Sequence, residues 1–185
     1  MAEATENGFM QSFLRLSGKS LIFNTGKNKM SESPQSINEL DLEPIMIKVM
    51  EEDEGLGWSL EFTTQIATEY KRYLTLCLEN PDSPIVPSTF VDKFWHFHIL
   101  DTQKYSEDCN HIFGYFLHHF PYFGMRGEDD AKNLKNAWTE SCALYERRFG
   151  AINSELWPTS MRCPNCGRRG QPYLKEERPR LKLVA

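Results

Sequence analysis

The chain has 185 residues, 40% of them hydrophobic and 12% aromatic, with a formal net charge of -5. That size suits one domain with room for tails, and the aromatic content supports a packed core rather than a disordered chain. The acidic balance argues against a general electrostatic grip on nucleic acid, and no stretch approaches the ~20 apolar residues that span a bilayer.

Residues 1–36, rich in Ser, Asn, Gly, Lys and Glu, read as a mobile arm. Within it Phe9, Phe13, Leu14, Leu16 and Leu21 sketch a short amphipathic helix that Gly18 interrupts, and Met30 offers a second start of translation. No apolar leader with a small-residue cleavage site precedes the body. The first firm helix is predicted to begin near Asp41, with Pro44 in its first turn, and to stop at Gly55 and Gly57. Ser59 is placed to cap a second helix that runs to about Leu78, because Phe62, Ile66, Tyr70, Tyr73, Leu74 and Cys77 recur at helical spacing. Asn80-Pro81-Asp82-Ser83-Pro84 then turns the chain.

A third segment opens after Pro87, where Thr89 and Asp92 have capping-box spacing. Val91, Phe94, Trp95, His98, Thr102, Tyr105 and Cys109 continue it at intervals of three and four, predicting one long helix that ends at Gly114. Tyr115 to Gly127 is aromatic and carries Pro121 and Gly124, an irregular, partly buried connection. The fourth helix is expected from Glu128 to Phe149, acidic in its first turn and basic in its last, with Gly150 as its stop. The expected fold is all-α, a compact bundle of about four helices over residues 37–152 with flexible N- and C-terminal tails. Residues 153–185 read as a basic tail outside the core, bearing a Cys-x-x-Cys knuckle.

All five histidines lie between His96 and His119. Imidazole is the commonest transition-metal ligand, so this grouping points to a metal site. Asp92, one turn before His96, can ligate the ion or orient the ring. On a helix His96 and His98 point to nearly opposite sides, so one ion cannot take both without distortion. His118 and His119, beyond Gly114, can fold back toward either ring. The ligand candidates are therefore His96, His98, His118, His119 and Asp92, for a divalent transition metal such as zinc or iron. The bland alternative makes each histidine a hydrogen-bonded structural residue.

Cys163-Pro164-Asn165-Cys166-Gly167 has the form of a zinc knuckle, with Cys163 and Cys166 as candidate ligands, although no second pair completes a four-ligand site. Cys77, Cys109 and Cys142 read as small buried residues. An odd, scattered set of five cysteines argues against a disulfide framework and for reduced thiols in a cytoplasm. No phosphate-cradling glycine loop and no Ser-His-Asp signature is present.

Val91-Asp92, Trp95-His96-x-His98, Leu100, Tyr105, Asp108-Cys109, Gly114 and Leu117-His118 together resemble the glycine-rich domain-containing protein-like family. Trp58-Ser59, Val86-Pro87-Ser88, Pro121-Tyr122-Phe123-Gly124, Leu144-Tyr145 and Phe149-Gly150 extend the likeness to its short bacterial form, over about residues 38–152. The resemblance implies that Asp92, His96, His98, Tyr105 and His118 matter, and it implies no reaction. The function expected is metal binding by a helical protein, with any enzyme activity left open. A metal with a His and carboxylate shell would suit water activation or oxygen chemistry. The competing class is a non-catalytic interaction module whose histidines are structural and whose tails recruit a protein partner. No membrane partner is expected, and nucleic acid is disfavoured.

Overall fold

The structure, a computed structural model, describes residues 37–158, 168–170 and 178–180. The expectations for the N-terminal arm, for Met30 and for the Cys163–Cys166 knuckle lie outside the described residues.

The helical class is as expected, but the described residues hold five complete α-helices rather than about four. They are α1 (Glu43–Met50), α2 (Leu60–Glu79), α3 (Thr89–Leu100), α4 (Thr102–Phe113) and α5 (Glu128–Phe149). The extra helix comes from the predicted long third segment, which breaks at Asp101. The Asp101 backbone N–H closes α3 on the Phe97 carbonyl, while its carboxylate accepts from the Lys104 N–H at 3.3 Å and caps α4. The apolar period runs straight through this residue, so periodicity alone does not reveal the bend. A second correction concerns the start of α3. Ser88, not Thr89, is the cap, its Oγ accepting from the Val91 N–H at 3.3 Å, and Asp92 takes no part in a capping box. α1 also ends earlier than expected, at Met50 rather than at the glycines.

Ser59 caps α2 as predicted, accepting from the Phe62 N–H. The apolar face of α2 gives it a central place: it packs on α1, α3 and α5. Ile66, Tyr70, Tyr73 and Leu74 from α2 meet Phe94 and Trp95 from α3 in a core from which water is excluded. Gly114 stops α4 in the left-handed conformation, φ 72°, which costs glycine no Cβ clash. The connection that follows is tight. Gly124 has φ +94°, which side chains rarely adopt, and a Cβ there would come within 2.7 Å of the Leu134 side-chain tip and push it aside. Asp130 in the first turn of α5 ties the same loop down, accepting from the Gly124 N–H at 2.7 Å and from Arg126.

The connection also contains β1 (His118–Phe120), which pairs antiparallel with β2 (Arg168–Gly170), His119 opposite Arg169. Of the expected tail, the described residues 168–170 pair with β1 and the stretch just after residue 152 packs on the helices. Leu156 and Trp157 are buried, and Trp157 stacks on Trp138 with ring centroids 5.9 Å apart. The Trp157 indole N–H donates to Glu69 Oε2 at 2.9 Å, where the Tyr145 hydroxyl and Arg72 also donate to the same carboxylate. No helix among the described residues is long and apolar enough to cross a membrane.

Candidate metal centre

Helix α3 carries two imidazoles on opposite sides, as its pitch requires. Asp92 and His96, one turn apart, share the first side. His119 comes to them from β1. His96 Nε2 lies 3.0 Å from His119 Nε2, His119 Nε2 lies 3.0 Å from Asp92 Oδ1, and His96 Nε2 lies 3.5 Å from Asp92 Oδ2. Each of the three residues, from two elements, thus offers a ligand atom within 4.8 Å of the others, the only such group among the described residues.

The depth of the three groups differs. The Asp92 side chain is 2% exposed, His119 10% and His96 44%, so the cluster is anchored in the core and opens to solvent through His96. Burial lowers the His96 pKa; the Asp92 carboxylate works against this and His119 adds to it, with a net downward result that keeps the ring neutral. A neutral imidazole is the form that donates a lone pair to a metal.

Protons satisfy this arrangement poorly. Each Nε2 carries either one hydrogen or one lone pair. If both carry hydrogen, two donors face each other at 3.0 Å; if His119 alone does, one hydrogen is divided between Asp92 and His96. A cation at the centre uses all three lone pairs. Metal–ligand bonds of about 2.0–2.1 Å place tetrahedral ligands ~3.3 Å apart and facial octahedral ones ~3.0 Å apart. The His96–His119 spacing and the spacing from His119 to Asp92 Oδ1, 3.0 Å each, fall at these values, while His96 lies 3.5 Å from the other oxygen, Oδ2. The residues present fit the group.

The other candidates lie elsewhere. His98 points away from this point and is closed into a different network, buried among Tyr70, Tyr105 and Asp108. Burial raises the Tyr70 pKa far above its ordinary value, so the phenol keeps its proton and donates to His98 Nδ1 at 2.9 Å. The ionised Asp108 carboxylate can only accept, which places a hydrogen on His98 Nε2, donating to Oδ2 at 2.9 Å. Lys104 Nζ reaches the same oxygen at 2.9 Å. Burial pushes the Asp108 carboxyl up, but the hydrogen bonds from His98 and Lys104 outweigh it and hold the group below the usual carboxylate range. His98 has no lone pair left to give. His118 alternates with His119 on β1, so it is exposed and lies beside Phe116. Cys163 and Cys166 lie outside the described residues.

Around the cluster, Trp95 sets its indole edge-on to His119, with centroids 4.7 Å apart, and donates its Nε1 hydrogen to the Tyr105 hydroxyl at 2.9 Å. A family model described as UCP032817-like matches residues 33–154, a span that includes α1 to α5 and Asp92, His96 and His119. The chain belongs to the UCP032817-like family. No curated protein and no solved structure matches it. The Glu69 network carried no sequence signal: a glutamate within a helix reads as solvated, and only the fold brings Tyr145 and Trp157 to it.

Proposed function

We propose that this chain binds a divalent transition metal, zinc or iron, through Asp92, His96 and His119. The supporting observation is the convergence of two neutral-capable imidazoles and a buried carboxylate within 3.5 Å of one another, an arrangement with more lone pairs than protons can serve. Two nitrogens and one oxygen are a donor set common to zinc and to non-haem iron, and three protein ligands leave positions open. A metal held there supplies Lewis acidity toward a water or an oxygen-bearing substrate. The chain's own contribution is to hold the three donors fixed and to admit solvent along the exposed edge of His96. The resemblance to the glycine-rich domain-containing family belongs with this reading, since Asp92 and His96 are among its matching residues. Cytoplasmic residence fits the buried Cys109 and half-buried Cys142, both reduced thiols.

In the alternative, an interaction module, the His119–Asp92 contact at 3.0 Å is a plain structural hydrogen bond. Elemental mass spectrometry of freshly isolated full-length protein separates the two. Near-stoichiometric metal that is lost in His96→Ala and His119→Ala supports the metal reading. Its absence from the wild type, or its loss only when Cys163 and Cys166 are changed to Ser, overturns it.

A further inference from the structure

His119 is the one ligand that does not come from α3, and its place depends on how the loop after Gly114 is held. Two residues before it, the Leu117 carbonyl accepts from the Tyr105 hydroxyl at 2.5 Å. The same hydroxyl accepts from Trp95 Nε1 at 2.9 Å. The donors and acceptors run in one direction, indole to phenol to carbonyl, and the phenol also contacts the Cys109 thiol. The Leu117 backbone also contacts the Cys109 thiol, one turn further along α4 from Tyr105. Trp95, Tyr105, Cys109 and Leu117 are all buried, so water cannot substitute for these bonds. Trp95 stands between the other two ligands in sequence, on α3, and its ring meets the His119 ring edge-on.

We propose that Trp95 and Tyr105 are positioning residues for the metal centre, acting through His119: the indole fixes the imidazole plane, and the phenol fixes the backbone that carries it. The inference rests on the metal reading. Asp92 and His96 are held in register by the helix itself, whereas His119 needs a device that ties its loop to α3 and α4. The chain from Trp95 through Tyr105 to Leu117 is that device. It corresponds to the outer partners that commonly orient metal-ligating histidines, whose loss costs about 10–100-fold in metal affinity.

The test titrates cobalt(II) into the full-length, metal-free chain and follows the visible absorption that reports coordination geometry. Tyr105→Phe keeps the ring and removes the link. It is expected to weaken cobalt binding about tenfold and to change the shape of the absorption band. In a His119→Ala background the same substitution is expected to have no further effect, because the two act as one unit. Tyr70→Phe is the matched control: it removes an equally buried hydroxyl that bonds His98, and it should lower thermal stability while leaving the cobalt spectrum and affinity as in the wild type. Trp95→Phe, which removes the indole donor but spares the phenol–carbonyl bond, gives a second reading if Tyr105→Phe does not fold, with the same band change expected. An unaltered spectrum and affinity in a folded Tyr105→Phe or Trp95→Phe protein overturns the positioning role alone. So does a loss of affinity in Tyr70→Phe equal to that in Tyr105→Phe. A wild-type chain that takes up no cobalt overturns the metal reading itself.

Discussion

The two sides of α3 hold the same chemical groups arranged to opposite ends. On one side Tyr70, His98, Asp108 and Lys104 form a run in which each ring nitrogen has one partner and the carboxylate has two donors. On the other side Asp92, His96 and His119 each bring a possible ligand atom within 4.8 Å of the others. The first pattern uses up its hydrogen-bonding capacity and is a structural pillar; the second leaves capacity over and has the form of a ligand set. A histidine beside an aspartate is therefore uninformative until its second nitrogen and its neighbours' protons are accounted for.

The largest expected effect breaks the comparison most directly. His119→Ala or Asp92→Asn should lower affinity for zinc or cobalt by more than about 100-fold, since each removes a ligand rather than an outer partner. His98→Ala should leave affinity within about twofold, as expected of a residue in no contact with the ligands. Isothermal titration of the three proteins decides it: equal losses for His98 and His119 would erase the distinction between the two sides. The stability ranking is the reverse. Replacing His98 leaves the Tyr70 hydroxyl without a partner in the core and opens a cavity, at a cost of about 3 kcal/mol. His96→Ala, at a half-exposed position, should cost under about 1 kcal/mol in the metal-free chain. Urea denaturation of the metal-free proteins measures both.

Glu69 extends the comparison to a cluster with no imidazole. Its carboxylate accepts from Arg72 at 2.8 Å, Tyr145 at 2.7 Å and Trp157 at 2.9 Å, fully used like the His98 network. Glu69→Gln turns an amide N–H toward donors and should destabilise by about 2 kcal/mol with no change in metal affinity. The same denaturation and titration experiments apply. A metal effect from Glu69 would mean that stability alone governs binding, and the contrast between open and closed clusters would lose its meaning.

Much of this was legible in the residues. Ser59, Gly114, the acidic start of α5 and its basic end mark helix boundaries by local chemistry, which needs no tertiary information. The opposed directions of His96 and His98 follow from 3.6 residues per turn. What the residues do not carry is the choice of partner across a distance. Either His96 or His98 can meet a histidine from beyond Gly114, and the selection rests on Tyr70, which lies 28 positions away and occupies His98 Nδ1 first. The bend at Asp101 was hidden because the apolar stripe continues across it. The burial of Trp157 was hidden because the pair Leu156-Trp157 is too short to show a period.

The smallest effect separates the two clusters by pH. In Asp108 the folded pKa lies below the ordinary carboxylate value, because hydrogen bonds from His98 and Lys104 outweigh burial. The folded state thus holds this charge more firmly than the unfolded chain does. The group contributes stability above the unfolded value of about 4 and loses it as pH falls through the depressed folded value. On the metal reading, binding at the other cluster should fail earlier on acidification, since protonation takes the imidazole lone pair that a metal needs. Asp108→Asn keeps an oxygen for the His98 hydrogen, so the fold persists, but it abolishes the carboxylate titration. Its stability should change less than that of the wild type between pH 5 and pH 3, as read from urea midpoints, while its metal affinity at neutral pH stays the same. If Asp108→Asn retains the wild-type acid slope, the charge on Asp108 does not support the closed cluster. The His98 network would then owe its rigidity to packing around Tyr70 and Tyr105 rather than to the ion pair at its end.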